Sequence, residues 1–310
     1  MRTVIRLLLV VVGLAASVVA GPAGVGTAAA NQANRLSGFT IASVAPRPGE
    51  IVGVAHPLVV TFADRVSDRA AAERALDISS SVPLTGKLVS GKLVSGKLVT
   101  GQPVTGKFEW IDNRTVQWVA DEFWPAHSTV ALSVGGRPTN IKTGPAVIGV
   151  ANISDHTFTV TIDGVGAGPS SALPAPHHRP RWGEAGVFPA SMGRPKYPTP
   201  VGIYTVLAKE TGVTMDSSTV GIPVHSPDGY LLKVEHAVRF TRRGLFVHGA
   251  PWAVNSLGHD NVSHGCISLS PEDAEWYFDT VKVGDPIIVR ENGLEVPRSV
   301  PAQVGGTGGG

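Results

Sequence analysis

Glycine and proline punctuate this chain so often that long helices have little room. Of 310 residues, 37 are glycine and 24 are proline. Proline breaks helices and removes a sheet donor, and glycine costs conformational entropy inside either element. Short strands separated by turns are therefore expected over most of the length. Hydrophobic residues make up 43% and charged residues 16%, enough apolar material for packed cores. The formal net charge of +2 gives no electrostatic case for nucleic acid as a partner.

Residues 1–30 read as a signal peptide or N-terminal anchor. Arg2 and Arg6 give a positive start, and Leu7 to Ala20 is apolar. That run is short for a bilayer span, which needs ~20 residues. Ala28-Ala29-Ala30 fits a cleavage site before Asn31. No cysteine lies near it, which excludes a lipidated N-terminus. The expected location is outside the cytoplasm, in periplasm or cell wall, either secreted or tethered to the membrane by the N-terminus.

Length beyond this segment suggests two domains. After a linker at 31–38, a first module spans 39–145. Its strand candidates are Leu58–Phe62, Thr115–Val119 and Thr129–Val134. Positions 116, 118 and 120 alternate with polar neighbours, so one face is buried. Asp68 to Leu76 is one short helix or helical turn. Short strands at this spacing point to a β-sandwich. Residues 85–107 carry a five-residue repeat built on Ser/Thr-Gly-Lys-Leu-Val. Strand side chains alternate with period two, so an odd period flips faces at each unit. A hairpin or loop of loose register is expected there.

A second module spans 146–291, followed by a flexible tail at 292–310. Its strand candidates are Val147–Val150, His156–Ile162, Gly202–Leu207, Tyr230–Val234 and Gly244–Val247, the last delivering His248 at its end. The stretch 169–186, with its His177-His178-Arg179 run, reads as an exposed loop. The clearest helix starts at Ser270 as N-cap, with Pro271 first and Asp273 third, and runs to about Val281. Pro286–Val289 closes the module as a strand.

The chemistry centres on Cys266, the one cysteine in the chain, within Ser263-His264-Gly265-Cys266. It has no internal disulfide partner, although the chain starts like an exported protein. A thiol near its free pKa of ~8.5 is mostly protonated at neutral pH, and a nearby imidazole can take its proton. His248 and His264 are the candidates. In an extended backbone His264 and Cys266 project to one side. Gly265 lets a substrate backbone come close. The N–H groups of Gly265 and Cys266 are candidate oxyanion donors. Acyl transfer through a thioester is the implied reaction. His248, His259, His264 and Cys266 also form a possible zinc set, but they lack the paired spacing of common zinc sites.

The pattern of His248, fourteen intervening residues, then Ser263-His264-Gly265-Cys266 resembles the signature of the L,D-transpeptidases, the YkuD-domain family. Lys196–Gly202, Met215-Asp216-Ser217, Ser226–Tyr230 and His248–Trp252 are similar to further stretches of that family. The first module resembles the bacterial immunoglobulin-like domain of its two-domain members. The resemblance implies a mainly β fold: an immunoglobulin-like sandwich, then a β-rich catalytic domain with one clear helix after the nucleophile. It implies Cys266 as acylated nucleophile and His248 as general base. His264 and Gly265 complete the catalytic set by shaping the site. Tyr230, Met215 and Trp252 would line the substrate path, together with Gly249, Ser263 and Ser268.

The implied partners are peptidoglycan stem peptides, a tetrapeptide donor and an acceptor amine joined in a 3→3 cross-link. Carbapenems are the implied inhibitors, and neither metal nor cofactor is needed. Two positions depart from the family pattern. Ser268 stands where asparagine is frequent, and Gly249 where serine is frequent. An L,D-carboxypeptidase using the same thioester, and a non-catalytic wall-binding protein, are the competing readings.

Overall fold

A computed structural model describes residues 35–36, 38–80, 102–169 and 184–294. The N-terminal segment, most of the five-residue repeat, the His177-His178-Arg179 run and the tail from 295 lie outside these residues.

The first part is a sandwich of two sheets. One has the order β1-β2-β4-β8-β7: β1 (Arg35–Leu36), β2 (Phe39–Ala45), β4 (Leu58–Phe62), β8 (Thr115–Ala120) and β7 (Gly106–Trp110). The other has the order β3-β10-β9-β5-β6: β3 (Ile51–Val52), β10 (Arg137–Thr143), β9 (Thr129–Val134), β5 (Ile78–Ser80) and β6 (Gln102–Pro103). Alternation decides which face is inward. Leu58, Val60 and Phe62 of β4 are buried, as are Val116 and Trp118 of β8, and they pack with Val130, Leu132 and Ile141. The short helix α1 (Arg69–Leu76) starts where Asp68 accepts a hydrogen bond from the Ala71 N–H at 2.9 Å. The described last units of the repeat are strand, as the hairpin form of that expectation has it. Gln102–Pro103 pairs with β5, and Gly106 and Lys107 open β7 against β8.

The second part is larger. Its six-stranded sheet runs β13-β12-β11-β22-β15: β13 (Val165–Gly166), β12 (Thr157–Ile162), β11 (Val147–Asn152), β22 (Pro286–Arg290) and β15 (Gly202–Thr205). Strand β14 (Val187–Pro189) also pairs with β12. A four-stranded sheet runs β16-β19-β20-β21: β16 (Ala208–Glu210), β19 (Ala237–Arg239), β20 (Phe246–Gly249) and β21 (Ile267–Leu269). A hairpin of β17 (Val213–Asp216) and β18 (Leu231–Val234) stands apart. One core joins both larger sheets to helix α2 (Pro271–Thr280), with Phe158, Phe188, Val247, Ile267, Leu269, Tyr277 and Ile287 buried in it. At the start of α2 the Asp273 N–H donates to Ser270 Oγ at 3.1 Å, and Ser270 Oγ donates to the Asp273 carboxylate at 2.7 Å. The helix ends at Thr280, and Gly284 follows in a turn.

The two parts meet backbone to backbone. The Gly53 N–H donates to Val283 O at 2.9 Å and the Ala55 N–H to Gly284 O at 2.8 Å. A Cβ at Gly53 would lie 2.0 Å from the Asp285 nitrogen, so this approach requires glycine. Among the described residues no helix is long and apolar enough to cross a membrane.

Candidate active site

Strands β20 and β21 run parallel and adjacent, with Val247 opposite Ile267 and His248 opposite Ser268. His248 is the third residue of β20 rather than the residue after it. Cys266 stands at the entry of β21, two positions before Ser268. Strand spacing sets a diagonal of roughly 8 Å between the Cα atoms of His248 and Cys266. The fold thus brings a thiol and an imidazole eighteen positions apart in sequence to one spot.

His248 is buried, and its Nδ1 lies 2.8 Å from Gly249 O. A carbonyl only accepts, so Nδ1 carries the proton and Nε2 keeps a lone pair. Burial holds the imidazole below its ordinary pKa. The residue after His248 therefore acts through its carbonyl, which glycine supplies. A Cβ at Gly249 would lie 3.2 Å from Pro271 Cα, a close fit against the start of α2. Cys266 packs beside Met215 and Val213 against Val234, Ala237 and Phe246. Burial pushes its thiol up to about 11, opposed by a hydrogen bond from the Phe246 backbone. With a lowered imidazole and a raised thiol, both groups are neutral at rest.

The turn before Cys266 is bent rather than extended, so His264 and Cys266 are not presented side by side by strand geometry. Gly265 has φ +111°, and a Cβ there would lie 3.0 Å from Leu245 Cδ2. Only glycine adopts this backbone without strain. Ser263 Oγ donates to Cys266 O at 2.7 Å and accepts the Gly265 N–H at 3.0 Å. Two expectations change. The Gly265 N–H is taken by Ser263, leaving the Cys266 N–H as the oxyanion-donor candidate of the pair. Ser263 has both functions of its hydroxyl spent inside the turn, so it closes the turn rather than reaching for substrate.

His264 is also not placed as a base. Its Nε2 lies 2.8 Å from Arg194 Nη2, a pure donor, and its other nitrogen bonds to the Asp228 backbone. Its ring lies 4.7 Å from that of Tyr197 and 4.8 Å from that of Tyr230. Tyr230 is half-buried, and burial, followed by the nearby Cys266, raises its phenol above the ordinary range. Trp252, half-exposed, has its ring 6.0 Å from that of His248. Ser268 is as buried as His248, and its backbone exchanges hydrogen bonds of 3.0 and 2.8 Å with Ser191. It belongs to the floor of the site, not its rim.

Sequence reasoning missed Arg194, Thr199 and Asp228. Thr199 Oγ1 donates to Gly265 O at 2.9 Å and accepts the Gly193 N–H at 2.8 Å. The available signal was that Thr199 and Asp228 fall within stretches already singled out for their likeness to the family. Among the described residues no group of three or more His, Cys, Asp or Glu side chains is gathered as a metal ion requires.

Comparison with known proteins gives the family. The family model for the L,D-transpeptidase catalytic domain matches residues 177–289, and that for a bacterial Ig domain matches 27–89 and 95–136. The protein named "Probable L,D-transpeptidase 3" of Mycobacterium tuberculosis is 58% identical over 294 residues, covering 94% of this chain and 100% of that one. The chain belongs to the L,D-transpeptidase family. Its fold agrees with that of other members. The crystal structure of L,D-transpeptidase 3 from M. tuberculosis is 61% identical, covers 81% of this chain and 98% of that chain, and has a TM-score of 0.70. A structure of an L,D-transpeptidase in complex with imipenem is 46% identical, covers 81% of this chain and 98% of that chain, and has a TM-score of 0.64.

Proposed function

We propose that this L,D-transpeptidase forms 3→3 cross-links in peptidoglycan, outside the cytoplasm, with Cys266 as nucleophile and His248 as general base. The observation that carries this reading is the spent Nδ1 of His248, which leaves Nε2 as the free proton acceptor on the strand beside Cys266.

In the first step Nε2 takes the thiol proton as Sγ attacks the carbonyl of the diamino acid in a tetrapeptide stem. The Cys266 N–H supports the oxyanion. The amide C–N bond then breaks, the departing D-alanine nitrogen takes the proton from the imidazolium, and a thioester is left. In the second step the side-chain amine of another stem attacks, His248 removes its proton, and the C–S bond breaks to return the thiol. Because thiol and imidazole are both neutral at rest, attack requires that the thiol proton pass to His248. Met215, Tyr230 and Trp252 border the path, with Gly249 setting the ring of His248.

A β-lactam carbonyl presents the same electrophile, so carbapenems acylate Cys266, in keeping with the imipenem complex of a relative. The N-terminal run Leu7 to Ala20, after Arg2 and Arg6, supports export or a membrane tether.

Two purified stem peptides, followed by product analysis, test the reaction. A cross-linked dimer is expected. Free tripeptide alone means water resolves the thioester and makes the enzyme a carboxypeptidase. No product and no mass adduct would leave a wall-binding protein. The pH profile adds a check. Burial lowers the pKa of His248, so the acylation rate is flat at neutral pH and falls only as pH drops through a value below ~6.5. A half-maximum at or above 6.5 would remove His248 from the role of base.

A further inference from the structure

The turn that carries Cys266 is gripped from outside by two segments distant in sequence. From one side, the Arg194 N–H donates to Ser263 O at 3.1 Å and Thr199 Oγ1 donates to Gly265 O at 2.9 Å. The Arg194 guanidinium reaches His264 Nε2 at 2.8 Å. From the other side comes Asp228, two residues before Tyr230. Its Oδ1 accepts from Arg194, and its Oδ2 accepts from Lys196 Nζ at 2.5 Å and from Tyr197 OH at 3.1 Å. The rings of Tyr197 and Tyr230 both pack against that of His264.

A guanidinium cannot accept a hydrogen bond, so Nε2 of His264 must, and the ring proton is left on Nδ1. The charged and titratable groups facing His264 are Arg194, Lys196, Asp228, Tyr197 and Tyr230. A second proton on the ring would break the bond from Arg194 and set two cations together. Burial, reinforced by Arg194, holds the imidazole below its ordinary pKa.

We propose that Arg194 and Asp228 are positioning residues for the transpeptidase reaction, acting through His264. The pair locks His264 as a neutral imidazole, fixes the turn behind Cys266, and ties Tyr230 to it. Two consequences follow. His248 is left as the single base. The positive charge behind the turn stays on Arg194 and does not pass to His264. The inference rests on the transpeptidase reading, but its direct readout does not.

The test uses the full chain and its Arg194→Met, Arg194→Lys and Asp228→Asn variants. Long-range proton–nitrogen NMR of the wild type is expected to show His264 bare at Nε2, protonated at Nδ1, and not titrating from pH ~6.5 upward. In Arg194→Met the ring is freed and titrates near ~6.5. Cys266 acylation by imipenem then slows ~10- to 100-fold, the expected cost of misplacing a reacting group. The loss deepens below pH ~6.5, where the freed ring gains charge. Arg194→Lys, which restores a donor to Nε2, recovers most of the rate and the wild-type tautomer. Asp228→Asn weakens acylation less than Arg194→Met, because the bond to His264 survives. A wild-type His264 protonated on Nε2 overturns the inference, whether or not the variants fold. So does an Arg194→Met enzyme with unchanged rate and pH profile. Failure of the wild type to acylate at all, with the expected tautomer present, would instead count against the transpeptidase reading.

Discussion

Among the described residues, the sandwich takes two polar side chains fully out of water, Ser80 and Thr143. The second part buries many, among them Ser191, Thr199, His248, Ser268, Asp273 and Asp285. Both parts are built from short strands with apolar cores, so burial of polar groups is not a by-product of the strand architecture. A buried polar group must find its partners inside the protein, and a network that does so becomes rigid. The sandwich is held by side-chain alternation, whereas the second part is held also by directed bonds around a single turn. If this contrast marks where the chemistry sits, substitutions in the two parts should fail in different ways.

The largest effect is expected at the thiol. Cys266→Ala should lose the covalent adduct with imipenem completely and reduce cross-linking to background, while its unfolding transition stays near that of the wild type. Intact-protein mass reads the adduct. A mass shift that persists in the variant would mean another group is acylated, and the contrast would collapse at its centre.

Phe62→Ala should do the opposite. Phe62 is fully buried in the sandwich and stacks on Trp110, with ring centroids 5.9 Å apart. Removing it should cost about 3–5 kcal/mol of stability. Denaturant unfolding followed by tryptophan fluorescence measures this. The acylation rate per folded molecule should not change. A slowed rate in the folded enzyme would show that the sandwich shapes the site and is more than a support.

How much was legible beforehand follows the same division. In β4 the strand boundaries were readable to the residue, because Leu58, Val60 and Phe62 alternate with half-buried neighbours and each choice is local. The proposed thiol nucleophile and its proposed base were named from residue type and from the resemblance, and the structure sets His248 on the strand beside that of Cys266. The hold on the turn was not. Arg194 meets His264 across 70 positions, Thr199 meets Gly265 across 66, and Arg194 meets Asp228 across 34. No periodicity encodes such pairs. The bend at Gly265 was within reach, since a glycine beside a nucleophile signals a positive φ as readily as an open approach. Treating the segment as extended put His264 beside Cys266 when its ring is bonded elsewhere.

Thr199→Val tests that hold with a smaller perturbation. The substitution keeps the shape but strands Gly265 O and the Gly193 N–H, both bonded to Thr199 Oγ1 in a buried setting. The expected cost is about 1–3 kcal/mol of stability. Acylation should slow more than the stability loss explains, because the carbonyl set free belongs to the residue before Cys266. Comparison with Thr199→Ser separates the effects. Serine keeps the hydroxyl, so recovered acylation with only partly recovered stability supports a role in holding the turn. Equal loss in both variants would assign the site to packing alone.

A pH-dependent effect is expected where the two parts touch. Asp285 is buried beside the backbone contact of Gly53 with Val283, and its carboxylate accepts the Lys282 N–H at 2.8 Å. Burial raises its pKa to about 7, opposed by that bond. The unfolded chain titrates this group at an ordinary value near 3.9. Between the two values the folded state binds the proton and the unfolded state does not. Stability from this residue is therefore complete below pH ~4 and lost as pH rises through about 7. The fall is on the order of 4 kcal/mol across that window. The informative quantity is the difference between wild type and Asp285→Asn, since Asp112, Asp216 and Asp228, whose pKa values are lowered, slope the other way. Asparagine cannot ionise, so the variant should gain on the wild type as pH rises from 4 to 7 and keep a constant lead above it. Parallel stability curves would show that the carboxyl is already ionised in the folded state. The junction would then hold a buried charge.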